Sequence, residues 1–406
     1  MEQYGLLDSV EITIMNTMRK QILLRAVLLT SLLSCIVPST VQAEWMFMKS
    51  DGDTLLLQGI EKIYNVEFDE AEKKFTEVIK LYPDHPAGYF MDAMIDWWRV
   101  NLFQRRNDVD QRLLSKLATV LQQCDALLEQ DQQNITALFF KGAALGFEGR
   151  YYALRGDYFK AAASGKSGMD ILIALQKLAP TNRDIMFGTG VYNYYAEAIP
   201  EKYPLLKPVM LFLPRGDKEL GILQLRSAAD KARYANIESM VQLISIYYTF
   251  EKQPSNAMPY ARKLHERYPN NPLFTRYLGR CYVSLGPLDS MEIVWREVIL
   301  GYMDKRPGFD EFAAREALYY VGTSLMIQGK IDMALKYYYK CDEACRLLDS
   351  EPSGFMVKTN LKIGQIYDMQ SRRDLAISQY KKVVGWKDYD GTQQQAESFI
   401  KSPYRK

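Results

Sequence analysis

Residues 238–272, ESMVQLISIYYTFEKQPSNAMPYARKLHERYPNNP, carry two apolar stripes at helical spacing. The first stripe consists of Val241, Ile244 and Tyr248, and the second of Ala257, Ala261 and Leu264. The polar turn EKQPSN separates them, and Pro269 ends the second. Because apolar residues three and four positions apart share one helix face, this stretch predicts two antiparallel helices joined by a short turn.

The same scheme recurs 34 residues later, where Gly279 occupies the position of Ser245. Two antiparallel helices pack closely only where small residues meet at their crossing, so we expect a second small residue twelve positions on, in the second helix. The pairs are Gly59 with Ala71, Ser245 with Ala257, Gly322 with Ala334 and Gly364 with Ala376, whereas Gly279 is followed by Met291.

Aromatic residues hold two further fixed positions after the small one. Three positions on are Tyr248, Tyr282 and Tyr367, and sixteen positions on are Phe75, Trp295, Tyr338 and Tyr380. The period and the small and aromatic slots together resemble the tetratricopeptide repeat (TPR). The copy LLLQGIEKIYNVEFDEAEKKFTEVIKLYPDHP at 55–86 is a close match, except that Lys62 replaces the usual aromatic residue.

The predicted fold is an all-α, TPR-like superhelix (solenoid) of about eight helix pairs within residues 44–390. The pairs are expected at 52–84, 87–131, 135–181, 184–235, 238–270, 272–304, 312–348 and 355–388, with extended loops near 304–311 and 347–354. Such pairs stack because no single pair can bury its own apolar face. An unrelated helical bundle is the alternative, and residues 391–406 are expected to form a tail.

The fourth pair contains the stretch IPEKYPLLKPVMLFLPRGDKELG at 199–221, which carries four prolines. They are Pro200, Pro204, Pro208 and Pro214. Proline removes a backbone donor and clashes with the preceding turn, so the stretch predicts an insert at 199–217 between two helices, with Asp217 as the N-cap of the second. The surrounding residues resemble a segment of some exported bacterial TPR proteins of unassigned role, a resemblance that implies no activity.

The insert is predicted to be a kinked apolar flap. Its candidate contact residues are Leu205, Leu206, Met210 and Phe212. That much apolar surface favours a covered position. We expect packing within the protein itself, and partner docking or peripheral contact with a membrane are the alternatives.

Residues 18–43, MRKQILLRAVLLTSLLSCIVPSTVQA, have the pattern of a secretory signal peptide, with a basic start, an apolar stretch and a small-residue site ending at Ala43. The preceding residues contain no Lys or Arg, so translation is predicted to begin at Met18. LLSC at 32–35 resembles a bacterial lipobox and would place a lipid on Cys35. A buried N-terminal helix is a third interpretation. The first two predict an exported protein, periplasmic or associated with the outer membrane.

Signals for chemistry are sparse. The chain has two histidines, His85 and His265, and lacks the H-E-x-x-H and C-x-x-C metal or redox motifs. The remaining cysteines are predicted to be buried thiols; they are Cys124, Cys281, Cys341 and Cys345. A net charge of +2, from 51 basic and 49 acidic residues, gives no field that favours nucleic acid. We expect no enzyme, no cofactor and no metal site.

A TPR superhelix offers a concave groove lined by the first helix of each pair. Counting from the glycine slot, the groove-facing candidates are Gln242, Arg276, Arg280, Tyr319, Thr323, Gln365 and Asp368. Arginine and tyrosine suit recognition of a protein or peptide, although the same residues could be solvated helix faces. The predicted function is a non-enzymatic interaction scaffold of the bacterial envelope. The alternative is a membrane-associated lipoprotein or assembly factor, held by Cys35 or by the insert 199–215.

Overall fold

The computed structural model describes residues 48–211 and 213–405, and no strand occurs in these ranges. The helices are α1 Ser50–Tyr64, α2 Phe68–Leu81, α3 Pro86–Leu102, α4 Asp110–Gln130, α5 Ile135–Leu154, α6 Tyr158–Leu178, α7 Arg183–Lys202, α8 Lys207–Met210, α9 Lys218–Lys231, α10 Asn236–Ser245, α11 Pro254–Arg267, α12 Pro272–Leu285, α13 Leu288–Met303, α14 Glu311–Ile327, α15 Ile331–Leu348, α16 Gly354–Met369, α17 Arg373–Val384 and α18 Thr392–Lys401. A 3₁₀ turn, Pro204–Leu206, precedes α8, and a π-helical turn, Ile246–Phe250, extends α10.

Eight antiparallel pairs follow one another, and the TPR-like solenoid predicted from the sequence is confirmed. Within and between pairs, each helix packs against the next along the chain, except that in the fourth pair α7 packs against α9 past the short α8. In addition, first helices of neighbouring pairs contact each other directly: α1 with α3, α3 with α5, α5 with α7, α7 with α10, α12 with α14 and α14 with α16. These contacts run from α1 to α10 and again from α12 to α16, and the first helices together are here called the inner wall.

Side chains cap the starts of several helices, both first and second helices of the pairs. Asp217 is an N-cap as predicted, since its carboxylate accepts the backbone N–H of Leu220 at 2.9 Å. The same role falls to Asn134, Asp157, Asn182, Asn271, Asp310 and Ser353. Each such cap satisfies a backbone donor that the first helical turn leaves free.

The glycine slots pack against the aromatic residue sixteen positions later. A Cβ added to Gly279 would lie 2.7 Å from Trp295, and one added to Gly364 would lie 2.5 Å from Tyr380. Gly59 stands in the same relation to Phe75, and Gly322 to Tyr338. These four aromatic side chains are fully buried. At these four helix crossings, therefore, the glycine lies against an aromatic ring, whereas the sequence predicted a contact between two small residues.

Two boundaries differ from the prediction. Helix α7 passes through Pro200 and ends at Lys202, so the interruption begins about one turn later than residue 199. Proline is tolerated there because the last turn has few following residues whose packing its kink would disturb. Residues 391–406 form more than a tail: α18 buries Thr392 and Ala396 against the end of the solenoid.

Helix α1 also contacts a pair that lies far along the chain. The Asp53 carboxylate binds Arg233 and Tyr234 in the connection between the fourth and fifth pairs. Tyr268, which follows α11, donates to Glu61 at 3.0 Å. The first pair therefore lies beside the fifth, and the solenoid bends back onto its own start.

Helix α3 and the residues after it continue this contact. Trp98 donates its Nε1–H to Glu238 at 2.7 Å and packs edge-on against Phe274 with ring centroids 5.6 Å apart. The Arg105 guanidinium lies 4.2 Å from the ring centroid of Phe312. We call these links between early and late pairs the cross-turn contacts. No helix in the described ranges has the length and apolarity needed to cross a membrane.

Candidate binding surfaces

Arg276 and Arg280 lie one turn apart on α12 and hold the same carboxylate. Arg276 donates through Nη2 to Glu316 Oε2 at 2.7 Å, and Arg280 donates through Nε to Glu316 Oε1 at 2.6 Å. The Glu316 side chain is only 4% exposed. Burial raises the pKa of Glu316, but the two guanidiniums outweigh it and the net shift is downward. Two cations thus share one anion, and the carboxylates of Asp310 and Glu238 also lie near Arg276 and Tyr277, respectively.

Two half-buried tyrosines, Tyr277 on α12 itself and Tyr195 on α7, lie in this part of the inner wall. Burial raises the pKa of Tyr277, and the charges of Arg276, Arg280 and Arg150 act on the same hydroxyl. Burial also raises the pKa of Tyr195 on α7, on which Arg150 and Tyr277 act in turn. Because a charge shifts a pKa appreciably only at short range, Tyr277 lies near all three arginines and Tyr195 lies near Arg150 and Tyr277.

Gln242, a predicted groove residue, is 7% exposed and accepts from the Tyr195 hydroxyl at 3.3 Å. Its neighbour on the preceding turn, Glu238, binds Trp98 at 2.7 Å and Arg150 at 3.4 Å. Gln242 therefore lies beneath Tyr195, at the place where the inner wall meets the cross-turn contacts.

Tyr319 and Thr323, also predicted, lie in an aromatic cluster on α14. The Tyr319 ring lies 5.6 Å from Phe355 and 5.9 Å from Tyr338 between centroids. Burial raises the pKa of Tyr319 to about 12. Thr323 donates to the Tyr319 carbonyl at 2.9 Å. Tyr319 and Thr323 are both half-buried, and the Tyr319 ring lies edge-on to Tyr320.

Gln365 and Asp368, the last predicted groove residues, hold the C-terminal end together. Gln365 is 3% exposed and accepts from Lys362 at 3.1 Å. The Asp368 carboxylate pairs with Arg373 at 2.9 Å and accepts the backbone N–H of Tyr404 at 2.8 Å. Asp368 therefore joins the eighth pair to the residues after α18.

The insert carries the other predicted contact residues. Leu205 is 94% exposed, and Leu206 is half-buried. Leu211, which was not among the candidates, is 81% exposed. The expectation that the insert packs within the protein is wrong for Leu205 and Leu211. Phe212 and the side chain of Met210 lie outside the described part of the chain.

The exposed leucines adjoin a second apolar segment that sequence reasoning missed. Tyr158 and Phe159, at the start of α6, are 45% and 77% exposed. With Leu205, Leu206 and Pro208 they line a cleft of about 600 Å³. The signal was present in the sequence, since two aromatic residues directly after the N-cap Asp157 cannot both point into a helix pair.

All four cysteines of the described chain are buried, as predicted. Burial raises the pKa of Cys124 to about 12 and that of Cys281 to about 11. No group of three His, Cys, Asp or Glu side chains that could hold a metal ion occurs among the described residues. The arrangement offers surfaces for binding.

Sequence reasoning also missed the inner-wall residues Glu316, Tyr277 and Tyr195. Glu316 and Tyr277 lie next to predicted positions, but their importance depends on contacts between helices 36 to 40 residues apart. Counting positions from the glycine slot identifies residues on one helix. It does not identify the residues on the next helix that those residues contact.

No family model matches the chain. No curated protein matches it either. Among solved structures, the chain is similar to a human IFIT1 dimer with m7Gppp-AAAA, at 12% identity and a TM-score of 0.38, over 78% of this chain and 67% of that one. It is also similar to a human IFIT1 dimer with PPP-AAAA, at 13% identity and a TM-score of 0.37, over 78% and 68% of the respective chains.

Proposed function

We propose that this chain is a non-enzymatic scaffold of the bacterial cell envelope that holds a protein or peptide partner against its inner wall. The observation that supports this most is the layer of half-buried tyrosines beside Arg150, Arg276 and Arg280. Tyrosine and arginine dominate the energetics of protein interfaces because they combine large contact area with directional hydrogen bonds. Export to the envelope is supported by the signal-like residues 18–43.

The surface charge favours a partner with acidic groups. Arg276 and Arg280 share the single Glu316 carboxylate, whereas Arg150 pairs with Glu238. Lys362 adds a further cation to the inner wall. Burial lowers the pKa of Lys362, and its side chain donates a hydrogen bond to the neutral Gln365. A carboxylate arriving at this wall would complete pairs that the protein itself leaves open.

Charge reversal at Arg276 and Arg280 would test folding and leave binding untested. Glutamates at both positions would place three carboxylates around a site that is 4% exposed. Removing even one partner of a buried pair costs about 3–5 kcal/mol. The tyrosines make a better probe because their rings are partly accessible.

A photo-cross-linking amino acid placed at Tyr277 or at Tyr302 tests the proposal in intact cells. Tyr302 lies on the second helix α13 and is 44% exposed, so it serves as the matched control. The proposal expects a discrete protein adduct at position 277 that is absent at position 302, identified by mass spectrometry. The same adducts at both positions, or none at 277, would contradict it.

A second candidate function is a membrane-associated lipoprotein or assembly factor. The exposure of Leu205 and Leu211 favours it, because both lie on one short segment and exposed apolar side chains concentrated in one place mark a contact surface. Anchoring would come from a lipid on Cys35 or from the insert. Intact-mass analysis of the mature N-terminus separates the routes, since a diacylated Cys35 and a plain Glu44 start differ by hundreds of daltons.

A further inference from the structure

The insert follows directly from α7, and its C-terminal end is fixed to the same helix while its middle projects. Tyr192 donates its hydroxyl to the Pro214 carbonyl at 2.9 Å, and the backbone N–H of Lys218 donates to Glu197 at 2.9 Å. Gly216 is buried so closely against α7 that an added Cβ would lie 2.9 Å from the Glu197 nitrogen. The exposed leucines are thus presented from a defined position on the solenoid.

The projecting surface is apolar over both of its segments. We define the insert surface as Tyr158, Phe159, Tyr203, Leu205 and Leu211, which are 45%, 77%, 48%, 94% and 81% exposed. Residues of both segments line the same cleft of about 600 Å³. Exposed apolar side chains scattered singly are normal, but a concentration of this kind marks a contact surface.

The charges of the same segment have one sign. Residues 202–216, KYPLLKPVMLFLPRG, contain Lys202, Lys207 and Arg215 and no acidic residue. The carboxylates that flank the segment are engaged elsewhere: Glu201 pairs with Lys218 at 2.5 Å, and Asp217 caps α9. Lys207 and Arg215 are exposed. The cleft also contains Asp157, which pairs with Lys160 at 3.1 Å, so among the described residues the unpaired charges at the rim of the insert surface are those of Lys207 and Arg215.

We propose that the insert surface binds the face of an anionic phospholipid bilayer. Leucine and phenylalanine side chains enter the boundary between headgroups and acyl chains, tyrosines lie at headgroup level, and Lys207 and Arg215 meet lipid phosphates. Interfacial binding grows with buried apolar area and with attraction to anionic lipid, and this surface supplies both. Such interfacial binding needs no membrane-spanning helix, and none of the described helices is long and apolar enough to be one.

A second copy of the chain fits this surface less well. A two-fold contact would bring the same positive segment of each copy together, and like charges across an interface oppose association. An anionic bilayer offers apolar depth and negative charge in one layer. The proposal concerns a surface separate from the inner wall, so its failure leaves the scaffold proposal standing.

Flotation of the full chain with vesicles tests the proposal. The vesicles contain phosphatidylcholine alone or phosphatidylcholine with one quarter phosphatidylglycerol, and all variants share residues 1–47, so differences between them report on the insert. We expect binding that is stronger on the anionic vesicles and weakens with salt. The variant Leu205→Asp with Leu211→Asp should bind at least tenfold less. Lys207→Gln should weaken binding only to anionic vesicles, by roughly fivefold.

The matched control replaces exposed apolar residues on second helices, Ile293→Asp with Leu347→Asp, which are 68% and 80% exposed in the wild-type protein. This control should keep full vesicle binding, and circular dichroism should show the same helix content for all variants. Unchanged vesicle binding by the Leu205→Asp, Leu211→Asp variant would overturn the proposal. So would an equal loss in the control. A wild-type dimer that this variant converts to monomer, with vesicle binding unchanged, would assign the surface to a second copy instead.

Discussion

At the scale of single residues, the glycine slot shows how the repeat is built. The sequence predicts a small residue in each first helix, and the structure explains the choice of glycine. The rings of Trp295, Tyr338 and Tyr380 cover the backbone of the preceding helix where a Cβ would otherwise lie. In the sequence, the glycine and the ring of each contact could be recognised from their spacing of sixteen residues. That the two touch could not be predicted, because a spacing does not say where a side chain points.

Replacing Gly279 with alanine should destabilise the protein by about 1–3 kcal/mol, since the added methyl group overlaps the fully buried Trp295. Gly146→Ala is the control: this glycine lies within α5, and no atom outside its own helix turn lies within 4 Å of an added Cβ. It should stabilise the helix by about 0.5–1 kcal/mol. Urea unfolding followed by circular dichroism measures both changes in the free energy of unfolding. Equal changes for the two variants would contradict the close packing of Gly279 against Trp295.

Glu316→Gln should cost about 3 kcal/mol at neutral pH, because it removes the anion between Arg276 and Arg280. The pKa of Glu316 is lower in the folded protein than its ordinary value near 4.5. Its stabilising contribution is therefore complete above that value and is lost as the pH falls from about 4.5 through the folded pKa. The stability difference between wild type and variant should shrink over this window.

Glu70→Gln is the control for this titration. Glu70 pairs with Lys73 at 2.6 Å on an exposed face of α2, with its side chain 53% exposed. Exposed pairs contribute little, so this variant should match wild type in urea unfolding at each pH. A pH-independent difference for Glu316→Gln would mean that the carboxylate does not hold the two arginines.

At the scale of elements, helix pairs were predictable and their irregularities were not. Pair boundaries follow apolar periodicity, which every pair must obey to bury its face. The run of α7 through Pro200 depends on its nearness to the helix end. Helix α18 escaped prediction because it begins after Gly391, whose left-handed backbone permits the sharp turn that precedes it. Its short length also gave few periodic positions to count.

Phe399→Ala should loosen the last pair alone. The Phe399 ring lies 5.5 Å from Tyr380 and 5.3 Å from Tyr404 between centroids. In a solenoid, the loss of such a ring contact destabilises mainly the neighbouring repeats. Hydrogen exchange should therefore speed up in α16 and α17 and stay unchanged in α5 and α6. Glu397→Ala, at an exposed position of the same helix, should change neither, and faster exchange in α5 or α6 of the Phe399→Ala protein would contradict this local role.

At the scale of the whole described chain, the cross-turn contacts are the feature that the sequence could least predict. They join residues such as Trp98 and Glu238, or Asn65 and Asn270, that are 140 and 205 positions apart. Periodicity describes one repeat and its neighbour, whereas the return of the solenoid to its start depends on small rotations accumulated over several pairs. The predicted groove residues lie on first helices, and the contacts described above join them to a neighbouring pair or to the C-terminal end, not across the closure.

Cross-linking of Asn65→Cys with Asn270→Cys tests the central claim, that the first pair lies against the fifth. The two side chains are hydrogen-bonded at 3.3 Å, and the native cysteines of the described chain are buried. A short bis-maleimide applied to dilute protein should join the two peptides within one monomer in high yield, as read by mass spectrometry, and the Asn65→Cys single variant should give no such product. Failure of the pair to cross-link, with both cysteines singly labelled, would show that the solenoid stays open.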